Sequence, residues 1–405
     1  MPTYTYTART RDGKKQGGTL TAETRQALNT MLQSRGLTAV TVQEAGAKKG
    51  GLGRKRLGGK VKTVELLIFT RQLSTIVSAG LPLLQGLDIL SEQTDDPNFS
   101  AVIQSIAQDV ESGESFSTAL TKYPRAFPEL YVSMVRAGEA GGDLDGVLLQ
   151  LADYLESTEE LKRRIKSAMT YPIVAFSMIL LIAAGLVVWV VPQFAEIFSS
   201  FGRQLPAPTR VLIATSEVLR SWKALILVAV FIAIIIGIRL YAKTPVGRYN
   251  LDAMKLRIPV FGVLLRKVAI SRFARTLSTL TRSGVPILQA LEIVERTAGN
   301  EVFAKAVRGA GDSVRSGETL ADPLERCEQF PRMVTRMIAV GEKTGALEGM
   351  LMKISDFYDS EVKAAVDSMT SLIEPILIMM MGLVVGSIVV ALFMPILQLS
   401  SLVQA

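Results

Sequence analysis

The sequence predicts a mainly α polytopic membrane protein: two duplicated helical bundles, three membrane-spanning helices and a small N-terminal α+β unit. Three observations predict it. The segment FTRQLSTIVSAGLPLLQGLDIL from Phe69 returns 204 residues later as FARTLSTLTRSGVPILQALEIV from Phe273, with 11 of 22 positions identical. Three apolar segments, Ile173 to Val191, Ala224 to Ile238 and everything after Glu374, carry no ionisable side chain. Helical spacing of apolar residues fills the stretches between, broken by Gly and Pro at matching places in both copies.

The N-terminal unit occupies residues 1–44. Thr3 to Ala8 alternates as a strand, Asp12-Gly13 suits a hairpin turn, and a short strand follows near Thr19 and Leu20. A helix is expected from Ala22 to Arg35 with Gly36 as its stop, then a strand over Thr38 to Gln43. Residues 45–60 form a basic Gly-rich linker, with Lys48, Lys49, Arg54, Lys55, Arg56 and Lys60 among glycines. Residues 1–60 hold 12 Lys and Arg against 3 acids, so the chain's +8 net charge resides there. Such a segment beside a membrane favours anionic headgroups. Nucleic-acid binding is set aside, because no aromatic residue interleaves to stack on bases.

The first bundle is placed at residues 61–167. Leu66, Phe69, Leu73, Ile76 and Val77 make a core-facing stripe, ended by Gly80-Leu81-Pro82. Asp96-Pro97 is a cap followed by proline at the first helical position, and Asp143 can cap a later helix. About six helices fit. The second bundle, residues 260–370, repeats the punctuation at Gly284/Pro286, Ser316/Gly317, Phe330/Pro331 and Gly341/Gly345.

Spans are placed at 173–191, 224–241 and 376–397, with a loop over 192–223. A bilayer core of about 30 Å needs roughly 20 apolar helical residues. The middle segment is shorter, but Lys223 and Arg239 can snorkel, and Trp222 and Tyr241 suit the interface. A buried core helix is its alternative reading. Two crossings between the bundles put both on one side. Lys162, Arg163, Arg164 and Lys166 before the first span, and Arg239, Lys243, Arg248, Lys255 and Arg257 after the second, make that side cytoplasmic. The loop and the C-terminus are then external. The first long apolar run begins only at Ile173, so no secretory signal is expected.

Chemistry is narrowly bounded. The chain has no His and one cysteine, Cys327, which removes His/Cys metal sites, Ser-His and Cys-His catalysis and an internal disulfide. GRKRLGGKV from Gly53 and the GEKT at Gly341 both fail as phosphate-binding loops. No catalytic, cofactor or metal residue is assigned. None of the three apolar segments carries an ionisable group, Arg239 lying only at the edge of the second, which argues against a small-solute transporter; uptake by the reconstituted chain would discriminate that class. The sharpest polar signature is the pair Gly138-Glu139 and Gly341-Glu342. Two readings stand: a helix stop, with the carboxylate accepting orphan N–H groups, or a contact for a cytoplasmic partner. Arg71 and Arg275 carry the same two readings, intra-bundle salt bridge or partner contact. Gly382 and Gly386 form a GxxxG suited to close helix packing, within a homo-oligomer or against a partner's span.

Taken in order, the strand-turn-strand opening, the GLP/GVP breaks, the GE turns, the TYP and IEP entries to spans and the VPQFAEIFSSFGRQLPAPTR segment resemble the PilC/GspF family. These are inner-membrane platform proteins of type IV pilus and type II secretion machines. The closing FYDSEVKAAVDSMTSLIEPI looks more like the pilus branch. The resemblance implies a non-enzymatic homo-oligomer (dimer or higher) without cofactors. Its implied partners are a cytoplasmic hexameric assembly ATPase, pilins or pseudopilins and other inner-membrane pilus components, and no nucleic acid.

Overall fold

The computed structural model describes residues 3–10, 15–22, 31, 37–44, 59, 61–199 and 206–403. It divides into two units, residues 1–57 and 58–405. In the first, strands β1 (Thr3–Thr10), β2 (Lys15–Thr21) and β3 (Leu37–Glu44) form an antiparallel sheet in the order β2-β1-β3. Thr3 faces Thr21 and Tyr4 faces both Leu20 and Glu44, with a register shift between Thr7 and Ala8. The Asp12-Gly13 turn, nearly all of the Ala22 to Arg35 helix and nearly all of the 45–60 linker lie outside the described residues.

The second unit is helical. Copy one comprises α1 (Thr63–Ser78), α2 (Leu83–Gln93), α3 (Pro97–Glu111), α4 (Phe116–Thr121), α5 (Glu129–Gly141) and α6 (Leu144–Gly185). A π-helical turn (Leu186–Val190) joins α6 to α7 (Val191–Ser199). Then come α8 (Ala207–Arg220), α9 (Lys223–Tyr241) and α10 (Pro245–Arg257). Copy two comprises α11 (Phe261–Arg282), α12 (Ile287–Thr297), α13 (Glu301–Arg315), α14 (Ala321–Glu325), α15 (Arg332–Thr344) and α16 (Leu347–Val403).

The punctuation has a common mechanism. Gly80, Gly113, Gly142, Gly284, Gly317 and Gly345 all take positive φ, between 71° and 96°, at the C-terminal ends of matching helices. After α1, the Gly80 amide donates to Val77 O and Leu81 to Ile76 O; after α11, Gly284 donates to Thr281 O and Val285 to Leu280 O. These paired bonds satisfy the last carbonyls and reverse the chain within two residues. Asp96 accepts from the Asn98 and Phe99 amides with Pro97 at the first helical position, and Asp143 accepts from Gly146.

Each copy encloses an aromatic centre. Phe69 meets Phe99 at 5.4 Å and Phe127 at 5.9 Å, edge to face. In copy two the shared ring is Phe330, which meets Phe273 at 5.0 Å and Phe303 at 5.4 Å, again edge to face. Tyr131 adds a fourth ring against Phe127, where copy two has the smaller Val334, also buried. Burying rings of this size supplies the main driving force for each bundle.

The helices that close the bundles also enter the membrane region. Among the described residues three helices are long and apolar enough to cross a membrane, within 144–194, 223–241 and 347–394. At 1.5 Å per residue, α6 with 42 residues is about 63 Å long and α16 with 57 about 86 Å. Pro172 lies inside α6 without ending it. The π turn ends two residues before Pro192, whose missing N–H and ring disfavour a regular α turn there. Val187 and Val191 of that turn region pack on Ile388 and Leu392 of α16, with Leu212 and Ile213 of α8 against them. Thr209 of α8 donates to Ala391 O. The described part of the 192–223 segment is therefore largely helical, with the apolar face of α8 covering the span ends. The middle span, α9, buries none of its residues, so its apolar surface fits lipid rather than a protein core.

Candidate functional site

The two GE turns are built alike. In copy one, Glu139 lies in the last turn of α5 and reaches back to α4. Its Oε1 accepts from the Phe116 amide at 2.5 Å and its Oε2 from Ser117 at 2.9 Å. In copy two, Glu342 accepts from Leu320 at 2.6 Å and Ala321 at 3.1 Å. Each carboxylate thus satisfies two amides at the start of a short helix, where no intrahelical acceptor exists and the dipole favours negative charge.

The glycines do a different job from the one expected. Gly138 and Gly341 do not stop their helices: α5 runs to Gly141 and α15 to Thr344, and the left-handed residues are Gly142 and Gly345. Gly138 and Gly341 are places of close approach. A Cβ on Gly138 would lie 3.0 Å from Val147 Cβ, and one on Gly341 2.9 Å from Leu347 Cα. The following helix crosses at that point, which sets the angle at which α6 and α16 leave the bundles.

Arg71 donates to Asp153 at 2.9 Å and to Glu156, tying α1 to α6. Burial works to lower its pKa, but the hydrogen bonds and charges of Asp153 and Glu156 raise it above the ordinary value. Arg275 donates to Asp359, with Asp356 at 3.9 Å, tying α11 to α16. The four charged residues each close on partners of their own copy and do not converge. Gly382 and Gly386 meet nothing within 4 Å at their Cβ positions, so the GxxxG surface of α16 is open.

Sequence reasoning missed three features. Asp252 on α10 is buried, accepts from the Glu301 amide at 2.9 Å and pairs with Lys255 at 2.8 Å, fastening the segment after α9 to copy two. A short helix whose few apolar residues are interrupted by Arg248, Asn250, Asp252 and Lys255 gave no periodic apolar signal. The copies also touch: Glu129 accepts from Arg296 at 2.9 and 2.7 Å, Gln150 from Ser283 at 2.8 Å, and Tyr154 lies 3.3 Å from Thr276 Oγ1. Lastly, a cavity of about 330 Å³ opens between α6 and α11, with Lys162, Lys166, Arg272 and Arg275 in its walls. Among the described residues no cluster of three or more His, Cys, Asp or Glu could hold a metal.

Fold and site together define a polytopic helical membrane protein whose most prominent polar residues are spent on holding a duplicated bundle at fixed angles to its spans. The chain belongs to the family described as "Type II secretion system (T2SS), protein F": that model matches twice, over residues 69–192 and 273–395, one match per copy. The model for the same family's N-terminal domain matches residues 1–43. Among its relatives, "Type IV pilus assembly protein PilC" of Thermus thermophilus is 43% identical over 405 residues, covering 98% of each chain. The protein of that name in Myxococcus xanthus is 41% identical over 401 residues, 99% of this chain and 96% of its own. "Type II secretion system protein F" of Pseudomonas aeruginosa is 35% identical over 405 residues, the whole of both.

Proposed function

We propose that this chain is the inner-membrane platform of a type IV pilus machine, coupling a cytoplasmic hexameric ATPase to insertion of pilin subunits into the fibre. The observation that carries the reading is helix continuity. Each bundle's last helix, α6 or α16, continues into its span, so the same rod that closes the cytoplasmic core lies in the membrane. A force on a bundle is then delivered to the span with little loss, because a packed helix transmits displacement instead of absorbing it. The relatives named for pilus or fimbrial assembly, at 36–43% identity, favour the pilus branch over the secretion branch, whose protein F relatives stand at 33–35%.

In this reading both bundles are cytoplasmic, the C-terminus is external, and the chain is a homo-oligomer with no catalytic activity of its own. Other inner-membrane pilus components and pilins or pseudopilins contact its spans. The test is deletion of the gene in its host, with surface pili and secreted enzymes counted side by side. Loss of pili with secretion intact supports the reading, and loss of secretion alone moves the chain to the secretion branch. An assembly ATPase that neither binds the bundles nor changes turnover in their presence would refute the coupling.

A further inference from the structure

The duplication supplies an internal control, since surface positions pair between the copies, 204 residues apart up to a one-residue gap near Pro124 and 203 apart after it. The contact between copies joins the α5–α6 edge of copy one to the α11–α12 edge of copy two, through Glu129–Arg296, Gln150–Ser283 and Tyr154–Thr276. A two-fold arrangement would also press the α15–α16 edge of copy two onto the α1–α2 edge of copy one. It does not. Leu130 is 4% exposed whereas its counterpart Met333 is 41% exposed, and Val285 is 5% exposed whereas its counterpart Leu81 is 38%. Buried Thr276 corresponds to exposed Gln72, and half-buried Tyr154 to exposed Phe357. Apart from the packing of α6 on α16 through Leu161, Ile165, Val362 and Val366 where the two helices leave the bundles, the contact is head to tail, and it leaves one unused edge of each kind.

The unused edges are complementary. The internal ion pair is Glu129 with Arg296; the counterparts on the free edges are Arg332 and Glu92, opposite in sign again but exchanged. Both are exposed, and among the described residues neither forms an ion pair. Beside Arg332 runs a groove of about 590 Å³ lined by Met333, Met337, Val340 and Met350, with Arg336 at its rim. Methionine surfaces adapt readily to a partner's shape. The α1–α2 edge offers Ile68 and Leu81, both exposed.

We infer that a second copy of this chain docks its α1–α2 edge onto the α15–α16 edge, setting Glu92 against Arg332 and repeating the contact already made within the chain. The exchanged signs also reject the wrong pairings. Arg332 brought to the α11–α12 edge would meet Arg296, and Glu92 brought to the α5–α6 edge would meet Glu129; like charges there disfavour both. The last helix of each copy runs from its bundle into a span, so repeating the step is compatible with an axis along the membrane normal. Heterologous contacts of this kind close into rings when the rotation permits. The inference rests on the homo-oligomer named in the proposed function and supplies its interface.

The test uses the full chain in detergent and in lipid nanodiscs, with oligomer mass read by light scattering. Glu92→Arg and Arg332→Glu should each weaken association about tenfold, since reversal replaces an attraction by a repulsion of similar size. The double reversal should restore it. On a Cys327→Ser background, Glu92→Cys and Arg332→Cys chains mixed together should give covalent dimers with a short bismaleimide, while either alone gives none. A chain that stays monomeric at all concentrations overturns the inference. So does an oligomer that ignores both reversals and gives no cross-link, which would put the interface elsewhere. A monomer would also remove the homo-oligomer from the proposed function, an oligomer with a different interface would not, and the role in pilus assembly stands or falls on the counted pili.

Discussion

Glu139→Ala removes the acceptor for two amides, Phe116 and Ser117, at the start of α4. Hydrogen bonds to a charged group contribute about 1.5–3 kcal/mol each. Partial exposure of the site puts these at the lower figure, so the loss is about 3 kcal/mol. Glu139→Gln keeps one acceptor oxygen without the charge and should lose about half as much. For a cooperative unit of roughly 200 residues, 1 kcal/mol moves the midpoint by about 2–4 °C. The alanine variant should therefore melt at least about 6 °C below the parent when the detergent-solubilised chain is followed by circular dichroism. Amide exchange adds a local check: Phe116 and Ser117 should lose protection while the α3 amides keep theirs. A melting point within 1 °C of the parent, with protection intact, would refute the capping argument and leave Glu139 to a partner. Glu342→Ala should behave alike through Leu320 and Ala321.

Three further outcomes follow from the geometry. Arg275→Ala should cost more than Arg71→Ala, roughly 2 kcal/mol against less than 1, because the Arg275 side chain is 15% exposed and that of Arg71 38%; thermal melts of the two variants check it. Gly341→Ala should destabilise by about 1–3 kcal/mol, since its Cβ would press on Leu347 backbone, whereas Gly382→Ala should leave the melt of the isolated chain unchanged because its Cβ meets nothing. Burial raises the Tyr131 phenol well above its ordinary value, against the hydrogen bond from Thr70. A raised acid favours the neutral form in the fold, so stability is level below about pH 9 and falls above about pH 10. Tyr131→Phe should flatten that alkaline fall in a pH series of melts.

The repeat made much of this legible. Aligning Phe69 with Phe273, with one residue of copy one unmatched near Pro124, also pairs the buried aromatics Phe99/Phe303 and Phe127/Phe330, the glycine caps and the two arginines. The arginines' acidic partners were not legible, because Asp153 and Asp359 lie more than 80 residues away and nothing local links them. The glutamates of the GE turns illustrate a subtler limit. Helix termination and capping could be read from composition, but the cap bridges 21–23 residues to another helix, and it is Gly142 and Gly345, one turn later, that reverse the chain. The one visible signal was the near-constant spacing from each glutamate back to its Ser-Gly turn. Helices α8 and α10 escaped notice because their buried faces are short and interrupted by polar residues such as Thr209 and Asp252, each of which makes a specific bond.

Divergence between the copies is itself informative. Positions that fill each core have stayed aromatic or aliphatic, since a buried volume change costs stability in either copy. The edges have drifted apart in a coordinated way: Glu129 against Arg332, Glu92 against Arg296, Leu130 against Met333, Tyr154 against Phe357. Random surface drift has no reason to reverse the sign at both ends of one contact. Selection for a chain that alternates its two copies around an assembly does, because the covalent contact and the intermolecular one must stay distinguishable to keep register. On that argument the duplication turned one of two equivalent interfaces into an internal joint, and the exchanged charges keep the other from competing with it.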